Sequence, residues 1–243
     1  MITELLNNGY FLDNQWMKNQ QDWIDYCSEK ATLRTYQNFW SMDPESDGKI
    51  MLLSSEKIND KDCFVSRPIL LDWHYDGMGC IGREDLIFLY CITPNSVTSV
   101  VNLQQMYEDA PAEIKQIVNR AVIELEPDNE IYDTTKREKV AVIRTNSEFE
   151  KEAFKPMLQT HKMSNRHGLL YSPTFVRQIH GATKQEIDAF KSYYQDTFND
   201  YVYNHTWQEN DILVIDQTVS IHCRHPFEGQ RKLWRTSGWY KID

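Results

Sequence analysis

Asp211-Ile212-Leu213-Val214-Ile215-Asp216-Gln217-Thr218-Val219-Ser220-Ile221-His222 is the stretch that decides how this chain folds. It reads as a turn, a strand over 212–215 and a second turn leading into a closing segment that ends on a histidine. The residues it must meet lie far upstream, in Trp73-His74-Tyr75-Asp76. Alternation along an extended segment puts His74 and Asp76 on one side and Tyr75 on the other. His222 can return to that pair only if the sheet rolls up. Brought together, the three side chains offer two imidazoles and one carboxylate. That set suits a borderline metal with open coordination positions, and it points to non-haem Fe(II) oxygen chemistry rather than to a closed structural zinc site.

The surrounding sequence supports a rolled sheet. Residues 67–74 read as a strand entering the site, and 85–92 as a fully buried one because the apolar run is continuous. Gly77, Gly79 and Gly82 supply the loop between them. Residues 103–107 and 112–122 carry helical patterns, with Pro111 suited to a first helical turn. A strand is expected over 139–144. Thr183, with Glu186 three residues on, caps a helix expected to run towards Tyr203, and Ile187, Phe190, Tyr194 and Phe198 form its core-facing stripe. A last strand covers 230–240. The first sixty or so residues mix aromatic-rich helical segments, such as Asp22-Trp23-Ile24-Asp25-Tyr26, with a polar loop at Asp43-Pro44-Glu45-Ser46-Asp47-Gly48, and read as a cap. The expectation is one domain over 1–243: a helical cap and first strands over 1–65, then a mostly antiparallel two-sheet body with inserted helices.

At 243 residues the chain is long enough for one large core around a cavity. Apolar residues are 41% and charged residues 26%, ordinary for a globular protein, and no apolar run is long enough to span a bilayer. The start, Met1-Ile2-Thr3-Glu4-Leu5-Leu6-Asn7, lacks a secretion signal, so a cytoplasmic location without membrane association is expected. Cys27, Cys63, Cys80, Cys91 and Cys223 are odd in number and lack a Cys-x-x-Cys pair, which argues for reduced thiols. A net charge of -10 repels a phosphate backbone, so no nucleic acid partner is expected.

Period two along the last strand places Arg231, Leu233 and Arg235 on one face. Two inward cations need anions. A dicarboxylate cosubstrate supplies one, since its keto acid end can chelate iron while its far carboxylate takes a guanidinium, helped by a hydroxyl such as that of Thr98. The remaining histidines, His161, His167, His180, His205 and His225, fall in expected loops or turns and suit surface or hydrogen-bonding roles. His225 is the nearest rival to His222. Asp216 suits a helper that holds the turn or the distal histidine.

Together these residues resemble the taurine dioxygenase and 2,4-dichlorophenoxyacetate dioxygenase family of Fe(II)- and 2-oxoglutarate-dependent oxygenases. Trp73-His74-Tyr75-Asp76 is similar to the family's Trp-His-x-Asp, and Thr98 stands where the family has a threonine that contacts 2-oxoglutarate. The segment from Gln159-Thr160-His161-Lys162 to Leu169-Leu170-Tyr171-Ser172-Pro173 resembles the one before its long helix. Trp207 to Gln217 is similar to its Trp-x-x-Gly-Asp-Leu-x-x-x-Asp-Asn, and Arg231-Lys232-Leu233-Trp234-Arg235 to its arginine pair. The likeness runs from about residue 70 to residue 240. It implies a double-stranded β-helix, a distorted, cupin-like jelly roll that is mainly β with flanking helices. His74, Asp76 and His222 would hold iron, Arg231 and Thr98 would hold 2-oxoglutarate, and Arg235 would take a substrate anion. Asn210 replaces the usual glycine and Gln217 the usual asparagine, which is expected to touch turn geometry rather than ligands. The stretch between His222 and Arg231 is short, so the two arginines could exchange roles. Leu70, in place of an asparagine, speaks against taurine.

The implied activity is hydroxylation of an unactivated C-H bond of a small molecule, consuming Fe(II)-bound 2-oxoglutarate and O2 and releasing succinate and CO2. Desaturation or cyclisation by the same oxidant stays open; Asp76 keeps its carboxylate, which argues against halogenation. A non-catalytic jelly-roll binding protein and a metal-dependent hydrolase are the competing classes, and succinate release separates them from an oxygenase. Homo-oligomerisation is left open.

Overall fold

The computed structural model describes residues 1–36, 41–56, 67–79, 81–125, 131–133, 138–140 and 152–241. The central strands are β1 (Tyr10–Asn14), β2 (Ala31–Leu33), β3 (Met51–Ser54), β4 (Leu71–His74), β5 (Leu86–Thr93), β6 (Val97–Asn102), β7 (Val202–Thr206), β8 (Asp211–Asp216), β9 (Ser220–Arg224) and β10 (Lys232–Tyr240). The helices are α1 (Ile2–Asn8), α2 (Gln20–Lys30), α3 (Leu103–Asp109), α4 (Ala112–Arg120) and α5 (Lys184–Thr197).

A 6-stranded sheet has the order β1-β8-β5-β10-β2, with β3 also on β10; a 4-stranded sheet has the order β7-β6-β9-β4. All of these pairings are antiparallel. The two sheets face each other as a double-stranded β-helix.

Parity along the strands explains the sequence. In β5, Leu86, Phe88 and Tyr90 point outward to a layer built by Trp23, Ile24 and Cys27 of α2, while Ile87, Leu89 and Cys91 point into the interior with Val100, Leu213 and Leu233. Both faces are covered, hence the unbroken apolar run. The outer face of the smaller sheet carries Val101 and Ile221 into a third cluster with Met106, Ile117, Phe190 and Tyr194 of the helices. Since Ile221 points outward, its neighbour His222 points inward.

The capping box at Thr183 and Glu186 is present, and the stripe of Ile187, Phe190, Tyr194 and Phe198 packs on the core. The helix is shorter than its pattern, because α5 ends at Thr197, a 3-10 turn covers Phe198–Tyr201 and β7 follows. Tyr203 and His205 therefore sit on a strand, paired with Val100 and Thr98, not on a helix or loop. Pro111 is the N-cap of α4, one place before the first turn, and the helix stops at Arg120 with Val122 opening a strand. The first strands expected within 1–65 are β1, β2 and β3, which extend the larger sheet through β8 and β10. Glu138–Val140 is a strand as expected, and 141–144 lie outside the described residues. No helix among the described residues is long and apolar enough to cross a membrane.

Candidate metal centre

His74 and His222 are direct cross-strand partners at the pairing of β4 with β9, with ring centroids 4.4 Å apart. Antiparallel pairing thus delivers two imidazoles from opposite ends of the chain to one spot. Asp76 arrives differently. Strand β4 ends at His74, and Asp76 sits in the turn that follows, where Gly77 takes a left-handed φ of 69°. The expected strand through Asp76 is therefore one turn too long, although Tyr75 does point away, fully buried in the helical cluster.

The nearest approaches are 3.5 Å from His74 Nε2 to Asp76 Oδ1 and 4.0 Å from His222 Nε2 to the same oxygen, and all three donors lie within 4.8 Å of one another. Donors held at about 2.1 Å from one ion can be at most about 4.2 Å apart. The set is thus within a small side-chain rotation of chelating geometry.

Protonation favours the same reading. The carbonyl of Asp72 can only accept, so His74 Nδ1 donates to it at 2.6 Å and Nε2 is the nitrogen turned towards Asp76. Burial, with His74 alongside and against the pull of Asp76, pushes His222 down to about 3, leaving a neutral imidazole whose Nδ1 has no hydrogen-bond partner. Burial works to raise the Asp76 carboxyl, but Arg235, His74 and His222 outweigh it and hold it well below the usual range.

The two arginines stand in different surroundings. Arg235 donates from Nε and NH2 to Asp76 Oδ2 at 2.9 and 2.7 Å, and from NH1 to Tyr36 and to the Met51 sulfur. Burial would lower it, but Tyr36, Asp76 and Glu84 raise it above the ordinary arginine value. It does not stand free for a substrate anion. Arg231 lies just before β10, beside a register shift between Lys232 and Leu233, and is also buried. Its Nε donates to Ser96 at 2.9 Å, its guanidinium lies 5.7 Å from the Phe227 ring, and no carboxylate among the described residues pairs with it. Burial pulls it down to about 10. Thr98 is buried in the same interior and accepts from Trp207 Nε1 at 2.9 Å.

The chain belongs to the taurine catabolism dioxygenase TauD, TfdA family. The family model matches residues 28–237, most of the chain. The protein is an Fe(II)- and 2-oxoglutarate-dependent oxygenase, with O2 as second cosubstrate. Among solved structures it is similar to a taurine dioxygenase from Burkholderia xenovorans, at 14% identity and a TM-score of 0.74 over 99% of this chain and 79% of that one. It is similar to AAD-2, solved with Mn(II) and N-oxalylglycine, at 14% identity and a TM-score of 0.75 over 99% of this chain and 87% of that one. PvcB, described as an Fe, alpha-ketoglutarate dependent oxygenase from an isonitrile synthetic pathway, matches at 14% identity and 0.67 over 98% and 78%. No curated protein matches by sequence.

Within this family member, Gln217 does more than shape its turn. Its Oε1 accepts the backbone N–H of Asp76 at 2.5 Å, so the departure from asparagine reaches a candidate ligand after all. Asp216 holds the turn through Thr218 and bonds His161 and Tyr240, not the distal histidine. His225, the rival to His222, meets Ser99 at 2.7 Å. The sequence pattern does not single out Tyr36, Glu84, Ser96 or Gln217 as site residues. Gln217 could have been found from its motif and Ser96 from its place two residues before Thr98; Tyr36 and Glu84 carry no periodic signal. Cys27, Cys91 and Cys223 are free thiols, while Cys63 and Cys80 lie outside the described residues.

Proposed function

We propose that His74, Asp76 and His222 hold the ferrous ion and that Arg231, with Thr98 and Ser96, receives the far carboxylate of 2-oxoglutarate. The enzyme would then hydroxylate an unactivated C-H bond of a small molecule, releasing succinate and CO2. The observation that carries this reading is a buried Arg231 lacking a carboxylate partner among the described residues, on the interior that also presents the three converging donors. A guanidinium left in such a place costs several kcal/mol unless an anion joins it, and a bidentate carboxylate is its best match.

When bound, iron with 2-oxoglutarate and O2 supplies the oxidising power through decarboxylation of the cosubstrate. The chain supplies the rest. The carbonyl of Asp72 orients His74 through Nδ1, Arg235 keeps Asp76 anionic and takes one of its two oxygens, and Asp76 would hold the position that a halide would need. Leu89, Val100, Leu213 and Leu233 make the interior apolar, which excludes water and strengthens the charge contacts within it. Because Arg235 is engaged by Asp76, a substrate anion there would have to compete with a short ion pair. The net charge of -10 favours a cationic or zwitterionic substrate such as an amino acid.

The test is anaerobic addition of Fe(II) and 2-oxoglutarate, followed by a small-molecule panel scored by shift of the visible charge-transfer band and then, once O2 is admitted, by succinate. A band that appears and moves with one class of amino acid, with hydroxylated product, supports the reading. Iron and 2-oxoglutarate bound without a band, or succinate formed with a desaturated or cyclised product, rules it out.

A further inference from the structure

Asp76 lies beyond the end of β4, so no ladder of backbone hydrogen bonds fixes it. A closed circuit of neighbours does. Its N–H donates to Gln217 Oε1 at 2.5 Å, and Gln217 Nε2 donates to the carbonyl of Glu84 at 3.3 Å. The Glu84 carboxylate accepts from the Tyr36 hydroxyl at 2.6 Å, and the Tyr36 oxygen accepts from Arg235 NH1 at 3.4 Å. Arg235 then returns to Asp76 Oδ2 at 2.7 Å. The circuit pins the backbone at one end of the residue and one carboxylate oxygen at the other. What is left is Oδ1, the oxygen that faces both imidazoles.

Gln217 is the member that joins that circuit to another part of the chain. It comes from the turn between β8 and β9, the turn that launches the strand carrying His222. It is 1% exposed, its backbone N–H donates to Asp85 at 2.8 Å and its carbonyl accepts from Arg83 at 2.9 Å. A carboxamide suits the task because it needs both an acceptor for Asp76 and a donor for Glu84, and it brings no charge to compete for the metal. An apolar side chain of equal length would leave the Asp76 N–H unpaired.

We propose that Gln217 is a positioning residue that fixes the Asp76 carboxylate relative to His222, coupling ligands from the two ends of the chain through one buried side chain. The inference rests on the reading of His74, Asp76 and His222 as metal ligands. It is tested with Co(II), by titration and visible ligand-field spectrum, on the wild-type protein and on Gln217→Met, Gln217→Glu and Thr218→Ala. Gln217→Met is expected to bind Co(II) about tenfold more weakly with an altered spectrum, as loss of a partner behind a ligand does. Gln217→Glu keeps the acceptor for the Asp76 N–H but loses the donor to Glu84 and adds a charge, so it is expected to retain more Co(II) affinity than Gln217→Met while its spectrum departs from that of wild type. Thr218→Ala loosens the same turn by removing a hydroxyl bonded to Asp216 at 2.5 Å, and is expected to change neither readout.

The proposal is overturned if Gln217→Met matches wild type, or if Thr218→Ala reproduces its loss. Should Gln217→Met fail to fold, hydrogen exchange at the Asp76 amide of the wild-type protein decides: strong protection is expected, and exchange as fast as in exposed turns overturns the proposal. A wild-type protein that binds no Co(II) defeats the metal reading itself, a result distinct from one in which wild type binds and the variants do not differ.

Discussion

Arg231 and Arg235 are four residues apart, one just before and one early in the same strand, both buried, and their surroundings differ in charge. Arg235 stands between Asp76 and Glu84, and Glu84 is itself bonded to Arg34 at 2.7 Å. That end of the interior is balanced before anything binds. Arg231 has a serine hydroxyl, an aromatic ring and a thiol for company, and burial bears on it uncompensated by any carboxylate among the described residues. The difference teaches that two basic residues on one face need not share surroundings: one is paired with a carboxylate, and the other has none among the described residues.

Asp76→Ala gives the largest expected effect. It deletes a candidate ligand and leaves Arg235 facing Glu84 alone, so Mn(II) affinity by calorimetry should fall by about a hundredfold or more. Equal affinity would break the assignment of the balanced end.

Thermal melts without metal sharpen the contrast. Arg235→Met strands the Asp76 carboxylate and should cost roughly 3 kcal/mol, whereas Arg231→Met removes an unpaired buried charge and should leave stability unchanged or raise it by about 1 kcal/mol. The same sign for both variants would erase the distinction.

Thr98→Val leaves the Trp207 N–H without its acceptor and takes a hydroxyl from the Arg231 end; 2-oxoglutarate binding should weaken about fivefold and stability fall by about 1 kcal/mol. The same variant should leave Mn(II) affinity as it was.

Thr183→Ala, remote from both arginines, sets the scale. Loss of the capping box should cost about 1 kcal/mol and leave metal and cosubstrate binding untouched. Hydrogen bonds from Arg120 and Thr183 draw the Glu186 carboxyl from 4.5 to about 2, so its contribution is complete above the unfolded value and is lost as pH falls towards 2. A melt series against pH should therefore show the gap between wild type and Thr183→Ala narrowing in acid without closing, since the bond from the Glu186 N–H to the Thr183 hydroxyl remains.

The meeting of His74 with His222 and the rolled sheet were legible because both depend on strand periodicity. Alternation in Ser220-Ile221-His222-Cys223 sets which way His222 points, and the double-sided apolar run of β5 announces its burial. What local pattern could not supply were contacts made by single side chains across the fold. Gln217 meets Asp76 from a turn, and Glu84 meets Tyr36 and Arg235 from a loop, with no spacing rule to announce them. Period two placed Arg231 and Arg235 together but was silent on their partners, and the partners are what separate them. The short strands β2 and β3 were hidden for a related reason: they are defined by pairing with β10 more than by their own composition.

The most direct measurement is an anaerobic titration of the Fe(II)-loaded protein with 2-oxoglutarate, followed by its charge-transfer band, in wild type, Arg231→Met and Arg235→Met. The account predicts about a hundredfold loss of 2-oxoglutarate affinity in Arg231→Met and a much smaller loss, with iron retention impaired, in Arg235→Met. Unchanged affinity in Arg231→Met, with the large loss in Arg235→Met instead, would contradict it.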